Sequence, residues 1–232
     1  MTATPPSMSV FDALHARHSV RAFLPTPVPR DTIEAILADA ATAPSGTNIQ
    51  PWRVRVLTGD ALRRVVDGAL AIHNDPIQAT KLEAEYSYYP LEWVSPFVDR
   101  RRKVGWDMYG LLGIGKADKD KMHAQHGRNY CFFDAPVGLI FTVDRVLTQG
   151  AWVDYGMFLQ SLMLAAKARG LDTCPQAAWI HYHRQLSAWL DFAPNEMLVC
   201  GMALGHADPD AVVNRLRTER APVAGFTTFI EA

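Results

Sequence analysis

RHSVRAFLPTPVPRDTIEAILADAATAPSGTNIQPW, Arg17 to Trp52, holds three kinds of local order in succession. It opens with Arg17, Ser19 and Arg21, spaced two apart. Pro25, Pro27 and Pro29 keep the chain after them extended. If the first residues are extended too, alternation places Arg17, Ser19 and Arg21 on one side. Ile33, Ile36, Leu37, Ala40 and Ala41 then recur with the spacing of one buried helix face, which Pro44 ends. APSGTNIQPW, Ala43 to Trp52, is a loop of small polar groups. In WRVRV, Trp52, Val54 and Val56 alternate against Arg53 and Arg55, which is a strand pattern. Taken alone, the arginines and serine read either as solvated surface or as an anion site. Arginine offers paired, planar hydrogen bonds to a phosphate, and serine adds a donor.

Outward from this stretch the pattern alternates helix and strand. Ser9 and Asp12 form a capping signal for a short helix running to about His15 or Arg17. Leu62, Val65, Val66, Ala69 and Leu70 predict a second amphipathic helix. From about His73 to Arg128 order weakens, and aromatic residues accumulate: Tyr86, Tyr88, Tyr89, Trp93, Phe97, Trp106 and Tyr109. Such density reads as packing or as a lid over an aromatic ligand. Ser95-Pro96 predicts an N-cap with proline at the first helical position, opening a helix to about Leu112. APVGLIFTV, Ala135 to Val143, and MLVCGMALG, Met197 to Gly205, are apolar runs of buried-strand length. Trp152 to Arg169 is apolar nearly all round, so a helix there needs cover on most sides, and Gly170 is placed to stop it. The end of the chain carries Arg215, Arg217 and Arg220, then FTTFI, which could pair as a strand, including on another subunit. Without repeat or linker, the expectation is one α+β domain over 1–232, with a variable lid region about 73–130 and a C-terminal arm about 207–232.

The totals exclude several functions. With 232 residues and 49% hydrophobic content, the chain can bury a real core. A net charge of -1 gives a nucleic-acid partner no support. The dense basic run Arg100, Arg101, Arg102 and Lys103 reads as a solvated helix face. Cys131, Cys174 and Cys200 form no disulfide framework, which points to a reducing cytosol. MTATPPSMSV lacks a signal-peptide layout, and no apolar run approaches the roughly 18 residues a membrane span needs. A cytoplasmic location is the expectation. GLLGIGKA, Gly110 to Ala117, imitates a phosphate loop, but Ala117 stands where a hydroxyl must hold magnesium and no strand pattern precedes it. His123 with His126, and His181 with His183, lack a third ligand, so no metal site is expected. Neither a GxSxG elbow nor a GxGxxG turn is present.

RHSVRAF, a helix, APSGTNIQPW, AAKARGLDT before CPQAAW, GHAD and RTERAPV follow one another in an order that resembles the FMN-dependent nitroreductase family. The resemblance covers almost the whole chain and weakens over about His73 to Arg128. GWDMYGLLGI and NYCFFDAPVGLI are most similar to its nitrobenzoate-reductase branch. It implies a mixed β-sheet flanked by helices, an intertwined homodimer, and FMN sites at the interface. Arg17, His18, Ser19 and Arg21 match the segment holding the FMN phosphate, ribityl chain and pyrimidine edge. Pro44, Ser45 and Asn48 match a loop reaching the flavin of the other subunit. Pro175, Gln176 and Ala177 match the segment beside the isoalloxazine, where a backbone N–H meets N5. Arg220 matches a phosphate-binding residue, and Arg217 matches more loosely. Many relatives have glutamate and glycine where this chain has Ala177 and Ala178, and lysine where it has Arg21.

The implied reaction is ping-pong. NADH or NADPH delivers a hydride, leaves, and a small aromatic acceptor takes two electrons in the same cleft. Arg21 is the expected cation that stabilises the reduced ring. Trp106 and Tyr109 are the expected contacts of a nitroaromatic or quinone acceptor, and the Arg100 to Arg102 run would favour an acidic one. A flavin-dependent dehalogenase, a flavin-cleaving enzyme and a non-catalytic flavin-binding protein are the alternatives.

Overall fold

The computed structural model describes residues 8–231; the N-terminal segment 1–7, on which most of the signal-peptide reading rests, lies outside them. Four strands form one sheet in the order β1-β2-β4-β3: β1 Arg53–Leu57, β2 Val137–Asp144, β3 Asp172–Gln176 and β4 Glu196–Gly205. Every neighbouring pair is antiparallel. Parallel pairing enters where Ser19, itself outside the named strands, bridges Thr173 of β3, with the Val20 N–H donating to the Thr173 carbonyl at 3.1 Å.

The two central strands are the continuous apolar runs of the sequence, and their side chains feed cores on both faces. Val137, Leu139, Phe141 and Val143 pack toward α2 Arg30–Ala40 and α7 Gln149–Ala168. Ile140 and Leu198 face the other core, with Trp179, Phe132 and α3 Gly59–His73. Gly201 on β4 lies under Trp179; a Cβ built there would meet the indole Cδ1 at 2.3 Å, so only glycine lets the ring lie flat on the strand. The remaining helices are α1 Val10–Ala16, α4 Pro76–Ala79, α5 Phe97–Leu111, α6 Lys119–Gly127 and α8 His183–Leu190. Ser9 caps α1, accepting from the Asp12 N–H at 3.1 Å, as the capping signal predicts.

Several expectations need correction. Pro96 is the N-cap of α5 and not its first residue; Ser95 instead donates its hydroxyl to Asp99 at 2.5 Å. In β1 the alternation fails, because Arg55 is half-buried and Val56 is 39% exposed. Arg55 is drawn inward by Glu196: its Nη1 donates to Oε2 at 2.6 Å and its Nη2 to Oε1 at 3.0 Å. The guanidinium also lies 4.3 Å over the Phe192 ring. FTTFI forms no strand among the described residues, and Phe226, Phe229 and Ile230 are exposed. β3 escapes the sequence pattern because Pro175 stands in it. At a sheet edge, a missing N–H costs no ladder bond. Gly110 lies inside α5, so the phosphate-loop imitation has a helix where a strand is required.

Candidate functional site

Arg17, His18, Ser19 and Arg21 line one cleft of about 70 Å³, closed by Leu216, Thr218 and Arg220 of the C-terminal segment. The local fold explains their arrangement. α1 ends at Ala16, Arg17 turns extended, and Val20 and Phe23 bury their side chains completely or nearly so. With Val20 and Phe23 turned inward, Arg17, His18, Ser19 and Arg21 are left to face the cleft. Asn214, buried in the turn Val212–Arg215, clamps the two segments together. Its Oδ1 accepts from the Arg21 N–H at 2.8 Å, and its Nδ2 donates to the carbonyls of Ala22 at 2.8 Å and Asp208 at 2.9 Å. Sequence reasoning missed Asn214, since a lone asparagine before three basic residues carries no pattern.

The cleft has the electrostatics of an anion site. Among the described residues, no carboxylate lies within 4.0 Å of Arg17, Arg21, Arg217 or Arg220. Among the described residues, their guanidinium groups donate only to neutral acceptors: Arg21 to the Ser19 carbonyl, Arg217 to those of Asn214 and Leu216, and Arg220 to Thr218 and Glu219. Burial first, and then the like charge of Arg220, lower the Arg17 pKa. His18 is likewise pushed below its ordinary value, first by burial.

Arg21 also lines a second, larger cavity of about 640 Å³. Its floor is Pro175, Gln176, Ala177 and Ala178, where β3 passes into the 3-10 turn Ala177–Tyr182. The first N–H groups of that turn have no partner within it and no capping side chain. Gln176 is buried and donates its Nε2 to the Asn129 carbonyl at 2.6 Å. Tyr86, Tyr88, Tyr89, His126 and Asn129 form the walls. The His126 ring packs beside His73 and Tyr130, each with centroids 5.6 Å away, and desolvation depresses its pKa, aided by His73, His123 and His181. Of these histidines His73 is buried, and its ring stacks on the exposed His123 ring at 3.9 Å.

Not every expected residue arrives here. Pro44, Ser45 and Asn48 line neither cavity; their loop is held against α7, where the Gly46 N–H donates to Asp154 at 3.1 Å. Trp106 and Tyr109 pair on α5 at 5.9 Å, with Lys116 over the Trp106 ring, also away from both cavities. Tyr86, Tyr88 and Tyr89 stand where the aromatic contacts were expected. Their cluster was visible in the sequence, but nothing local distinguished it from the α5 aromatics. Arg100 and Arg101 line a third cavity, which shares Thr218 and Arg220 with the cationic cleft.

Comparison with known proteins agrees with this architecture. Residues 14–206 match the Nitroreductase family. The chain is 44% identical to the 4-nitrobenzoate reductase of Pseudomonas putida, over 95% of each chain. It is 40% identical to the chloronitrobenzene nitroreductase of Comamonas testosteroni, covering 97% of this chain and 99% of that one. Among solved structures, the FMN and NADPH-dependent nitroreductase NfnB from sphigopyxis sp. strain HMH superposes with a TM-score of 0.93 at 37% identity, covering 97% of this chain and 100% of that one. An α+β sheet of this order, the cationic cleft beside it and these likenesses lead to one conclusion: the chain belongs to the nitroreductase family.

Proposed function

We propose that the protein is an FMN-dependent NAD(P)H oxidoreductase that reduces nitroaromatic acceptors, in the cytoplasm and as a homodimer. The observation that carries the reading is Arg21, which lines both the small cationic cleft and the large cavity. One ligand with an anionic end and a flat ring fits across that junction, and the unpaired arginines and apolar floor suit FMN. We read the chain as a single domain with a lid over about 73–130 and an arm over about 207–232.

Arg17, Ser19 and Arg220 would hold the phosphate, with Arg217 beside them, and His18 the ribityl side. Pro175, Gln176 and Ala177 would lie along the ring, where a free backbone N–H of the turn tolerates the alanines found here. The chemistry FMN supplies when bound is two-electron transfer from a reduced nicotinamide to an acceptor. Arg21 keeps a fixed positive charge at the ring edge where reduction places negative charge. Tyr88 and Tyr89 give the acceptor an aromatic wall.

The dimer has its own support. α7 leaves Val153 67% exposed, and α1 presents Val10 and Phe11 to solvent. The arm ends in three exposed apolar side chains. A second chain would cover these faces. Through it, Pro44, Ser45 and Asn48 would reach a flavin, and Trp106 and Tyr109 an acceptor.

Colour tests the proposal. The purified protein should be yellow, bleach on addition of NADPH or NADH, and recover its colour with 4-nitrobenzoate or nitrobenzene. A colourless protein that takes up no added FMN refutes it.

A further inference from the structure

The tyrosine wall of the large cavity sits on a segment with no regular secondary structure, from Leu82 to Val94. Something else must hold it in place. Tyr86 supplies one anchor: its hydroxyl donates to the Val199 carbonyl of β4 at 2.5 Å, and its ring packs on Trp152 at 4.7 Å. Burial pushes that phenol well above its ordinary pKa, so it remains a donor. Glu85, the neighbouring residue, supplies another. Its carboxylate is only 17% exposed and is paired with the Arg145 guanidinium; its second oxygen lies 3.5 Å from His183 Nδ1.

Arg145 is itself fixed to the sheet. Its Nε donates to the Pro194 carbonyl at 3.0 Å, in the turn before β4, and its Nη2 to the carbonyl of Glu196, the first residue of β4, at 2.8 Å. One guanidinium thus ties an irregular segment to the entry of β4, a central strand of the sheet. Glu85 also lines the large cavity beside Tyr88 and Tyr89. Those two rings pair edge to face at 4.7 Å, and Tyr89 leans on Trp93 at 5.5 Å, so the tyrosines and Trp93 form one connected aromatic unit. Both tyrosines are more than half exposed, so packing alone holds them weakly.

We propose that Glu85 and Arg145 are positioning residues for the acceptor, forming a latch that holds Tyr88 and Tyr89 over the large cavity. The link to acceptor binding rests on the reductase reading above; the latch itself does not. Arg145 is a poor first target, because its loss also frees the carbonyls of Pro194 and Glu196. Glu85→Gln keeps the side-chain shape and leaves those bonds intact.

In E85Q, amide hydrogen exchange should quicken over residues 81–95 and stay unchanged over β2 and β4. KM for nitrobenzene should rise roughly fivefold, the scale of one partly exposed ion pair, with kcat within about twofold. Arg145→Lys, which keeps the charge, should retain most of the wild-type behaviour in both assays. Exchange over 81–95 equal to wild type overturns the latch. Faster exchange with an unchanged KM overturns its role toward the acceptor. If the protein binds no flavin, the exchange measurement still decides the latch on the apoprotein, and only the reductase reading falls.

Discussion

Glu196→Gln isolates the strongest buried charge pair in the sheet. Glu196 is 7% exposed and accepts from both Arg55 nitrogens, from the Thr142 hydroxyl at 2.5 Å and from the Ala193 N–H at 3.1 Å. The Arg55 hydrogen bonds are the main cause that holds its pKa down, from an ordinary 4.5 to about 2, against a burial effect that raises it. At about 1.4 kcal/mol per pH unit, that displacement is worth on the order of 3 kcal/mol at neutral pH. Because the folded value is the lower one, the contribution is complete above the unfolded pKa and fades as pH falls from about 4.5 toward 2. Denaturant unfolding followed by tryptophan fluorescence, with flavin content matched, should show E196Q less stable by about 3 kcal/mol at pH 7. The gap between variant and wild type should narrow by about 2 kcal/mol at pH 3. An equal gap at both pH values would show that the carboxylate's charge is not what stabilises the sheet.

Arg17→Ala should weaken FMN binding about tenfold to a hundredfold, read by flavin fluorescence titration, since a charge-assisted bond to phosphate is lost. Wild-type affinity would remove Arg17 from the site. Gly201→Ala forces a Cβ into Trp179 and should lower stability by about 2–3 kcal/mol, visible as a drop in calorimetric Tm. An unchanged Tm would mean that the indole has room to move. For the homodimer proposed above, ending the chain after Ala221 removes Phe226, Phe229 and Ile230 and should shift sedimentation toward monomer. A truncated protein that stays fully dimeric would assign the interface to α1 and α7 alone.

Much of the fold was legible because its signals are strong and local. β2 and β4 are unbroken apolar runs, and α2 carries a clean buried stripe. What escaped depends on partners distant in sequence. Arg55 reads as an outward strand residue until Glu196, far along the chain, is known to face it. β3 hides behind Pro175 because edge position, not composition, makes that proline tolerable. At the site, Arg17, Ser19 and Arg21 met as alternation required, and Arg220 joined them. Asn214 did not stand out, since its value lies in reaching three backbone groups on two segments. The tyrosine wall was visible as a cluster but not chosen over Trp106 and Tyr109, because the anchors of that segment, Arg145 just after β2 and Val199 in β4, lie far along the chain.

The bridge between Ser19 and Thr173 does more than bring a serine to a cleft. β3 is the last strand of the sheet, and an uncovered last strand is a template for pairing with stray chains. The Arg17–Phe23 segment lies along that border and occupies part of it, while the opposite border, β1, carries two arginines. The residues that would grip a phosphate are therefore also the selvedge of the sheet. Substitutions that loosen this segment should cost solubility as well as affinity, so a weak binder recovered from inclusion bodies would report a frayed border before it reported a lost contact.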